Sequence, residues 1–591
     1  MFKFKLTYVA LAAALTSTSV YADPDYTHLS GAQVIDIEAP NAAGVSHNIY
    51  REFNVSDKGL ILNNSASDTT HSTLGNIAKN NNLKNGSASV ILNEVISNKS
   101  SALNGFIEVN GQKADVIIAN PNGISCSGCS FVNTNKVVLT TGQVNLSDTG
   151  AISSYSVNQG NITVNGNGLN ADKSYVALLA DAINLNGVVT GNNALISAGN
   201  FTMDNTTGAI TSAGKKATVM QMLFPEYSID ISALGGVKAN SISMVGNNVG
   251  FGVRNKGAVV ANGNLTMLSN GVLVNSGYIT GNGMVTQLTS AKDFLNSGTI
   301  STNYLGVINS LSGFYNEGTI SNAVQMAVSA GGDLDNLGVI KSDNTLMVNA
   351  GGNLTTEYGS KIVSKKALAV TSNGDINHGG SIQAEQTTVN FGGNNLNVTG
   401  NIWGLSSLLV QSSTQNGLSA GTIYNTGTIA GGDLTLQTNG TLNQEGNVDA
   451  NKSLTINTNA LNNYYYMNAP TLTINNNYVK NMATLQGNNV NITAAQGIYN
   501  EGHISAVRDM NLSTAMNSNI TNYNTISAGG TLTMTTNNVI NGGYRCGWLG
   551  VRFCGVGSLS AQSLNLNSSH NYASNMGGNQ SFKTTEIHTI N

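Results

Sequence analysis

A chain that repeats itself about every twenty residues, with no helical spacing inside the repeat, has few folds open to it. Asn275-Ser276-Gly277, Asn296-Ser297-Gly298, Asn316-Glu317-Gly318 and Asn336-Leu337-Gly338 each stand two residues before an Ile, at Ile279, Ile300, Ile320 and Ile340. The steps between those Ile residues are 21, 20 and 20 residues. Further along, the runs Leu434-Thr435-Leu436, Leu454-Thr455-Ile456, Leu472-Thr473-Ile474, Val490-Asn491-Ile492, Met510-Asn511-Leu512 and Leu532-Thr533-Met534 follow one another at steps of 20, 18, 18, 20 and 22. Inside each period apolar and polar residues alternate with period two and are broken by Gly and Asn, the pattern of short strands joined by turns. One such unit cannot bury its apolar face, but stacked units can, with Ile landing on Ile and each strand hydrogen-bonding its neighbours at about 4.8 Å. The expected fold is all-β: a right-handed parallel β-helix, or β-solenoid, with coils of about 20 residues.

Composition fits that expectation and narrows the function. Charged residues make up 9% of the chain, against about 25% in ordinary globular proteins. Gly numbers 67 and Pro 5, and Asn is about 90, far above average usage. With 40% hydrophobic residues the chain is not of the disordered type. Asn tolerates left-handed turns and can hydrogen-bond in ladders when stacked, and Gly at the same phase would relieve the cost of positive φ. A net charge of −4 without any cluster of Lys or Arg argues against nucleic acid as a partner.

The N-terminus reads as an export signal. Lys3 and Lys5 precede an apolar run from Leu6 to Leu15, and Val20-Tyr21-Ala22 is a small-residue cleavage pattern, so residues 1–22 are the expected signal peptide. The run is shorter than the roughly 20 residues that span a bilayer. Residues 23–257 are less periodic and carry all the distinctive motifs; they read as a head that begins the solenoid, with 258–591 as repeats. The sequence after Asn567 stays polar without an evident cap, which suggests a truncated or degenerate member of a longer kind of protein.

Few groups carry chemistry. Asn120-Pro121-Asn122-Gly123-Ile124 is a good β-turn on its residues alone, Pro fixing φ and Gly accepting positive φ. Cys126-Ser127-Gly128-Cys129 could close a tight disulfide; a redox pair would need a βαβ context and a helix N-terminus, and a zinc site would need a second pair of ligands. Cys546 and Cys554 are expected to pair in the same local way. The histidines, His28, His47, His71, His378, His503, His570 and His588, lack metal-ligand spacing and read as surface or turn residues. Tyr464-Tyr465-Tyr466 could form an aromatic sugar-binding face, but reads more simply as a strand that is half buried. Neither a cofactor nor a metal is expected. Acidic residues total 30 and do not recur at coil spacing, so a carbohydrate-active enzyme is not expected either.

Four blocks together resemble the secretion domain of two-partner-secretion exoproteins, the family of filamentous haemagglutinins, Serratia- and Proteus-type haemolysins and contact-dependent inhibition proteins. They are Phe53-Asn54-Val55-Ser56 running to Gly59-Leu60-Ile61-Leu62-Asn63-Asn64; Ile91-Leu92-Asn93-Glu94-Val95; Asn120 to Ile124; and Tyr227 to Gly236 leading to Gly252-Val253-Arg254-Asn255. The resemblance implies recognition of the N-terminal domain by the periplasmic POTRA domains of an outer-membrane transporter, with the chain folding outside the cell. It places the family's NPNG motif at Asn120, Pro121, Asn122, Gly123 and Ile124. Its second motif, NPNL, falls at Asn80, Asn81, Asn82 and Leu83, where Asn replaces Pro and leaves the turn less rigid. Some haemolysin-like members of the family carry a CxxC just after the NPNG motif, as here. The implied function is a secreted, non-enzymatic adhesin of a Gram-negative bacterium, free or held at the cell surface, that meets a host or bacterial surface receptor, carbohydrate among the candidates. The alternative is a haemolysin, cytolysin or contact-dependent toxin-delivery protein lacking its C-terminal part.

Overall fold

The computed structural model describes residues 31–211, 214–216, 218, 226–414, 417–542, 545–546, 552–553, 556–569 and 579–589. The expected signal peptide and Cys554 lie outside them, and with Cys554 the expected Cys546–Cys554 pair. Among the described residues every regular element is a β-strand and no helix occurs. The chain forms two compact units, one of residues 1–215 with 234–236, the other of 216–233 with 237–591.

In the second unit the sequence period becomes a vertical column. Val259, Ile279, Ile300, Ile320, Ile340, Ile362, Ile382, Ile402 and Ile429 pair in direct register between parallel strands. All nine have 0% exposure. Burying a side chain of this size stabilises by about 1.5–3 kcal/mol, which is why each coil must present its apolar residue at one fixed height. Alternation supplies that height: Gln325–Ala330 buries every second residue, as do the strands stacked on it. The step from Ile402 to Ile429 is longer, and part of the extra length forms a small antiparallel hairpin, Ser413-Thr414 against Gly417-Leu418.

A second column is polar and equally buried. Asn255, Asn275, Asn296, Asn316 and Asn336 donate Nδ2 to Oδ1 of the next in turn, at 2.8, 2.7, 2.7 and 2.7 Å. At the same register the column passes through Thr356, His378 and Val398 to Asn425. Beyond the Asn425–Gln444 bond it resumes as Asn463, Asn481, Asn500, Asn522 and Asn541, linked at 2.7 to 2.8 Å. Buried amides are costly unless bonded, and stacking bonds each to its own kind.

The reason for Gly beside this ladder differs from the expectation. Gly277, Gly298, Gly318 and Gly338 do not have positive φ, and Asn133 is the only non-Gly described residue that does. A Cβ on Gly298 would instead sit 2.2 Å from the carbonyl oxygen of Gly277, and one on Gly318 2.0 Å from that of Gly298. Close approach of successive corners, not left-handed backbone, excludes a side chain there.

The first unit uses the same parallel ladders, Val45–Tyr50, Val90–Val95, Ala114–Ala119, Thr134–Thr140, Leu169–Ala180 and Val188–Ala198 stacking in that order. These strands do not alternate cleanly; Ala114–Ala119 buries its last four residues in a row. Their outer face is covered by an antiparallel sheet of Gln143–Leu146, Ile152–Val157 and Phe201–Asp204. Val144, Ile152, Tyr155, Val157, Phe201 and Met203 of that sheet pack on Leu92, Ile117, Val138 and Ala177 of the coils. A strand buried on both faces is apolar throughout, which accounts for the missing period.

Candidate functional site

Two turns of the first unit carry the motif residues, and both are built the same way. At Asn120 the backbone N–H donates to the Thr140 carbonyl at 2.9 Å, and the Gly123 N–H closes a turn on the Asn120 carbonyl at 3.1 Å. The Asn120 carboxamide accepts the Asn122 N–H at 3.0 Å and donates to the Lys99 carbonyl and Ser101 Oγ, each at 2.9 Å. Asn122 donates its own Nδ2 to the Ser97 carbonyl at 2.6 Å. Both asparagines therefore tie the turn to residues 97–101. Gly123 has φ +110°, where a side chain would be strained. Asn120, Gly123 and Ile124 are buried; Pro121 is half-buried and Asn122 exposed.

At Asn80 the pattern recurs without proline. Asn80 Nδ2 donates to the carbonyls of Ile37 and Asn63 at 2.8 and 2.9 Å, and its Oδ1 accepts the Asn82 N–H at 2.9 Å. Asn82 Nδ2 reaches the Ile37 carbonyl at 3.0 Å, and the Leu83 N–H closes the turn on Asn80 at 3.3 Å. Asn81, in place of the family's proline, is exposed and Leu83 buried. The first asparagine makes the turn by hydrogen bonds to its own backbone, so fixed φ at the second position is dispensable for its shape.

Just beyond Ile124, Cys126 and Cys129 are joined in a disulfide, both fully buried. The corner they close stacks between two others: Ser127 N–H donates to the Leu103 carbonyl and Gly128 N–H to that of Gly168, both at 2.9 Å. Gly128 takes φ +81° at the tip.

The other family-like blocks serve as ties as well. Asn64 donates to the carbonyls of Ala88 and Gln112 at 2.9 and 2.8 Å and accepts the Ala88 N–H at 2.7 Å, fastening three chain segments. Glu94 Oε2 lies 2.7 Å from His47 Nε2 across adjacent strands. In the second unit Arg254 makes a bidentate pair with Asp230, at 2.8 and 2.6 Å, over the Tyr227 ring, 4.3 Å from its centroid. That bond to Asp230 raises the Arg254 pKa. Under the three-stranded sheet, burial pushes Lys136 down and Asp115 up, while Lys136 Nζ donates to Asn205 Oδ1 at 3.0 Å.

Sequence reasoning placed the motif asparagines but not their acceptors. Ser97, Lys99 and Ser101 carry no local signature, because two of the three contribute backbone carbonyls. Among the described residues no group of three His, Cys, Asp or Glu side chains converges as metal ligands would.

Residues 16–280 match the family model of the TPS secretion domain. The chain is 39% identical over 246 residues to a tRNA nuclease CdiA of Yersinia mollaretii, covering 41% of this chain and 8% of that protein. It is 36% identical over 250 residues to a toxin CdiA of Escherichia coli, again covering 8% of the relative. The chain thus spans under a tenth of the length of these relatives. A crystal structure of a filamentous hemagglutinin secretion domain is 32% identical, with 95% of it covered by 49% of this chain and a TM-score of 0.42. The chain carries, over residues 16–280, the N-terminal secretion domain of a two-partner-secretion exoprotein.

Proposed function

We propose that the chain is a secreted adhesin, exported through a partner outer-membrane transporter and folding outside the cell into a stack of coils that presents uncharged polar columns for contact. The observation that carries this reading is the pairing of a secretion domain with coils whose outward positions repeat in register. Asn397 donates to Asn377 Oδ1 at 2.7 Å, Asn462 to Asn443 at 2.9 Å and Asn511 to Asn491 at 2.9 Å. Such surfaces offer hydrogen bonds over a long front while the coils beneath hold them fixed.

Export begins with an unfolded chain in the periplasm, handed to the transporter's POTRA domains by strand addition, in which main-chain hydrogen bonds give affinity and alternate side chains specificity. Asn120 and Asn122 act in this scheme by closing a turn onto residues 97–101, so that the first coils lock as they emerge and oppose backsliding. Asn120→Ala with Asn122→Ala removes five side-chain bonds to other segments or within the turn itself, each buried group left unpaired costing about 1–3 kcal/mol. The test is the amount of protein in medium against periplasm, with the transporter present or deleted. Medium protein should vanish without the transporter and fall several-fold in the double variant. Secretion without a transporter would overturn the export reading, and secreted wild-type protein that fails to bind epithelial cells would overturn the adhesin reading.

A second reading, delivery of a toxin by contact with another bacterium, is favoured by the CdiA proteins among the relatives. Growth inhibition of target cells by bacteria expressing this chain, absent from its secretion-defective variant, would favour it over adhesion alone.

A further inference from the structure

One coil of the second unit departs from the regular stack in three ways at the same place. The step from Ile340 to Ile362 is 22 residues where its neighbours are 20, and the excess forms a tight turn, Glu357 to Ser360, with Ser360 N–H on the Glu357 carbonyl at 3.1 Å and Gly359 at φ +84°. The turn lifts Tyr358 to 95% exposure, the highest of any large hydrophobic residue described. At this height the buried asparagine column gives way to Thr356 and His378. A cleft of about 440 Å³ opens there, lined by Glu357, Tyr358, Asn377, His378, Asn397 and Thr399 among others.

The groups in this cleft divide cleanly into floor and rim. His378 is floor: Nδ1 lies 2.7 Å from Thr356 Oγ1 and Nε2 3.0 Å from the Asn401 carbonyl, so both ring nitrogens are spent within the fold. Asn377 and Asn397 share one bond between them, which leaves each amide with further donor or acceptor capacity toward solvent. Glu357 adds a carboxylate acceptor on the exposed turn. Tyr358 offers an aromatic ring with a polar tip, the type of side chain that anchors an amphipathic partner.

We propose that this cleft binds uncharged sugars, with the apolar C–H face of a pyranose laid on the Tyr358 ring and its hydroxyls paired with Asn377, Asn397 and Glu357. A ring face together with paired in-plane donors and acceptors matches the two faces of a sugar, and the cleft falls within the ~300–1,000 Å³ typical of small-ligand sites. Glu357 is the one charged side chain lining it, and Glu317 and Asp335 stand near the same surface, close enough to bear on the Tyr315 hydroxyl. Sialylated or uronic sugars therefore meet like charge. The inference rests on the adhesin reading for its purpose, not for its geometry.

The test is saturation-transfer NMR and fluorescence titration of the secreted protein with maltotriose, cellotriose, lactose, triacetylchitotriose and sialyllactose, beside Tyr358→Ala and Asn377→Ala. At least one neutral oligosaccharide should bind. Tyr358→Ala should weaken it about tenfold or more, and sialyllactose should bind about tenfold more weakly than lactose. Because Tyr358 is exposed, the variant should be secreted and unfold in urea as the wild type does. Absence of binding by every neutral sugar, or equal binding by Tyr358→Ala, would overturn the site. Epithelial-cell binding that persists in Tyr358→Ala under either of those results leaves the adhesin reading standing while ending this one; sugar binding by a protein that ignores cells does the reverse.

Discussion

His378 stands in a buried column that asparagine holds through much of the second unit, and it is 2% exposed. Burial lowers its pKa from 6.5, with the Asn401 carbonyl bond a smaller opposing effect. The unfolded chain therefore takes up a proton at higher pH than the folded one. Stability is complete above about pH 6.5 and falls as pH drops below that value toward the lower folded pKa. Urea unfolding of the wild type should lose stability between pH 6.5 and 5 relative to His378→Asn, which puts the column's usual amide there and has nothing to titrate. Equal pH slopes in the two proteins would show that another group sets the dependence. The position was legible in the sequence: His378 lies four residues before Ile382, as Asn275 lies four before Ile279. The absence of metal-ligand spacing, which suggests a surface or turn histidine, carries no information on burial, whereas the coil phase puts His378 in the buried column. The asparagine ladder itself followed from composition and period, whereas the reason for its neighbouring glycines, contact between corners, depends on how closely coils approach and has no sequence signal.

At the scale of elements, the three-stranded sheet of the first unit was invisible to periodicity, yet its trace was present. Val116-Ile117-Ile118-Ala119, Val137-Val138-Leu139 and Val176-Ala177-Leu178-Leu179-Ala180 are unbroken apolar runs in a chain that elsewhere alternates. In a solenoid coil such a run means that the outer face is covered too. The covering strands, Gln143–Leu146 and Phe201–Asp204, are far apart in sequence, so their pairing through Ile152–Val157 could not be read from local pattern. Phe201 is the test of this layer: it is 1% exposed and packs in the cluster between sheet and coils. Phe201→Ala should destabilise the first unit by about 3–5 kcal/mol, as large-to-small changes in a closed core do. Thr202→Ala, one residue on and pointing away, should cost well under 1 kcal/mol. Urea midpoints of the secreted variants measure both, and a Phe201→Ala shift no larger than that of Thr202→Ala would mean that the sheet does not seal the coils. The motif turns were better served by sequence, since Asn-x-Asn carries its own geometry in both, but their anchoring to residues 37, 63 and 97–101 is a product of stacking.

For the repeated coils as a whole, the controlling quantity is the period. Each coil touches only the one before and the one after, so the stack should tolerate loss of a full turn and reject loss of half of one. Deleting residues 299–318 joins Gly298 to Thr319 and sets Ile320 where Ile300 was, 21 positions after Ile279. Asn296 then meets Asn336 in place of Asn316, Phe294 meets Leu334, and Val285–Ser290 meets Gln325–Ala330, all residues that already occupy these columns two coils apart, on either side of the coil removed. The protein should be secreted, keep its β circular dichroism and unfold within about 1–2 kcal/mol of the wild type, the loss being chiefly the stacked Phe294–Phe314 pair. Deleting 299–308 removes about half a coil, so that no frame aligns the Ile column and the asparagine column together. Strands would then present polar faces inward. That shorter deletion should be degraded or held in the periplasm, and any material recovered should be cleaved by trypsin at Lys292 and Lys341, which flank the junction. If the ten-residue deletion proves as stable and protease-resistant as the twenty-residue one, register between coils is not what holds the stack, and the columns of Ile and Asn would have to be regarded as a consequence of the fold instead of its cause.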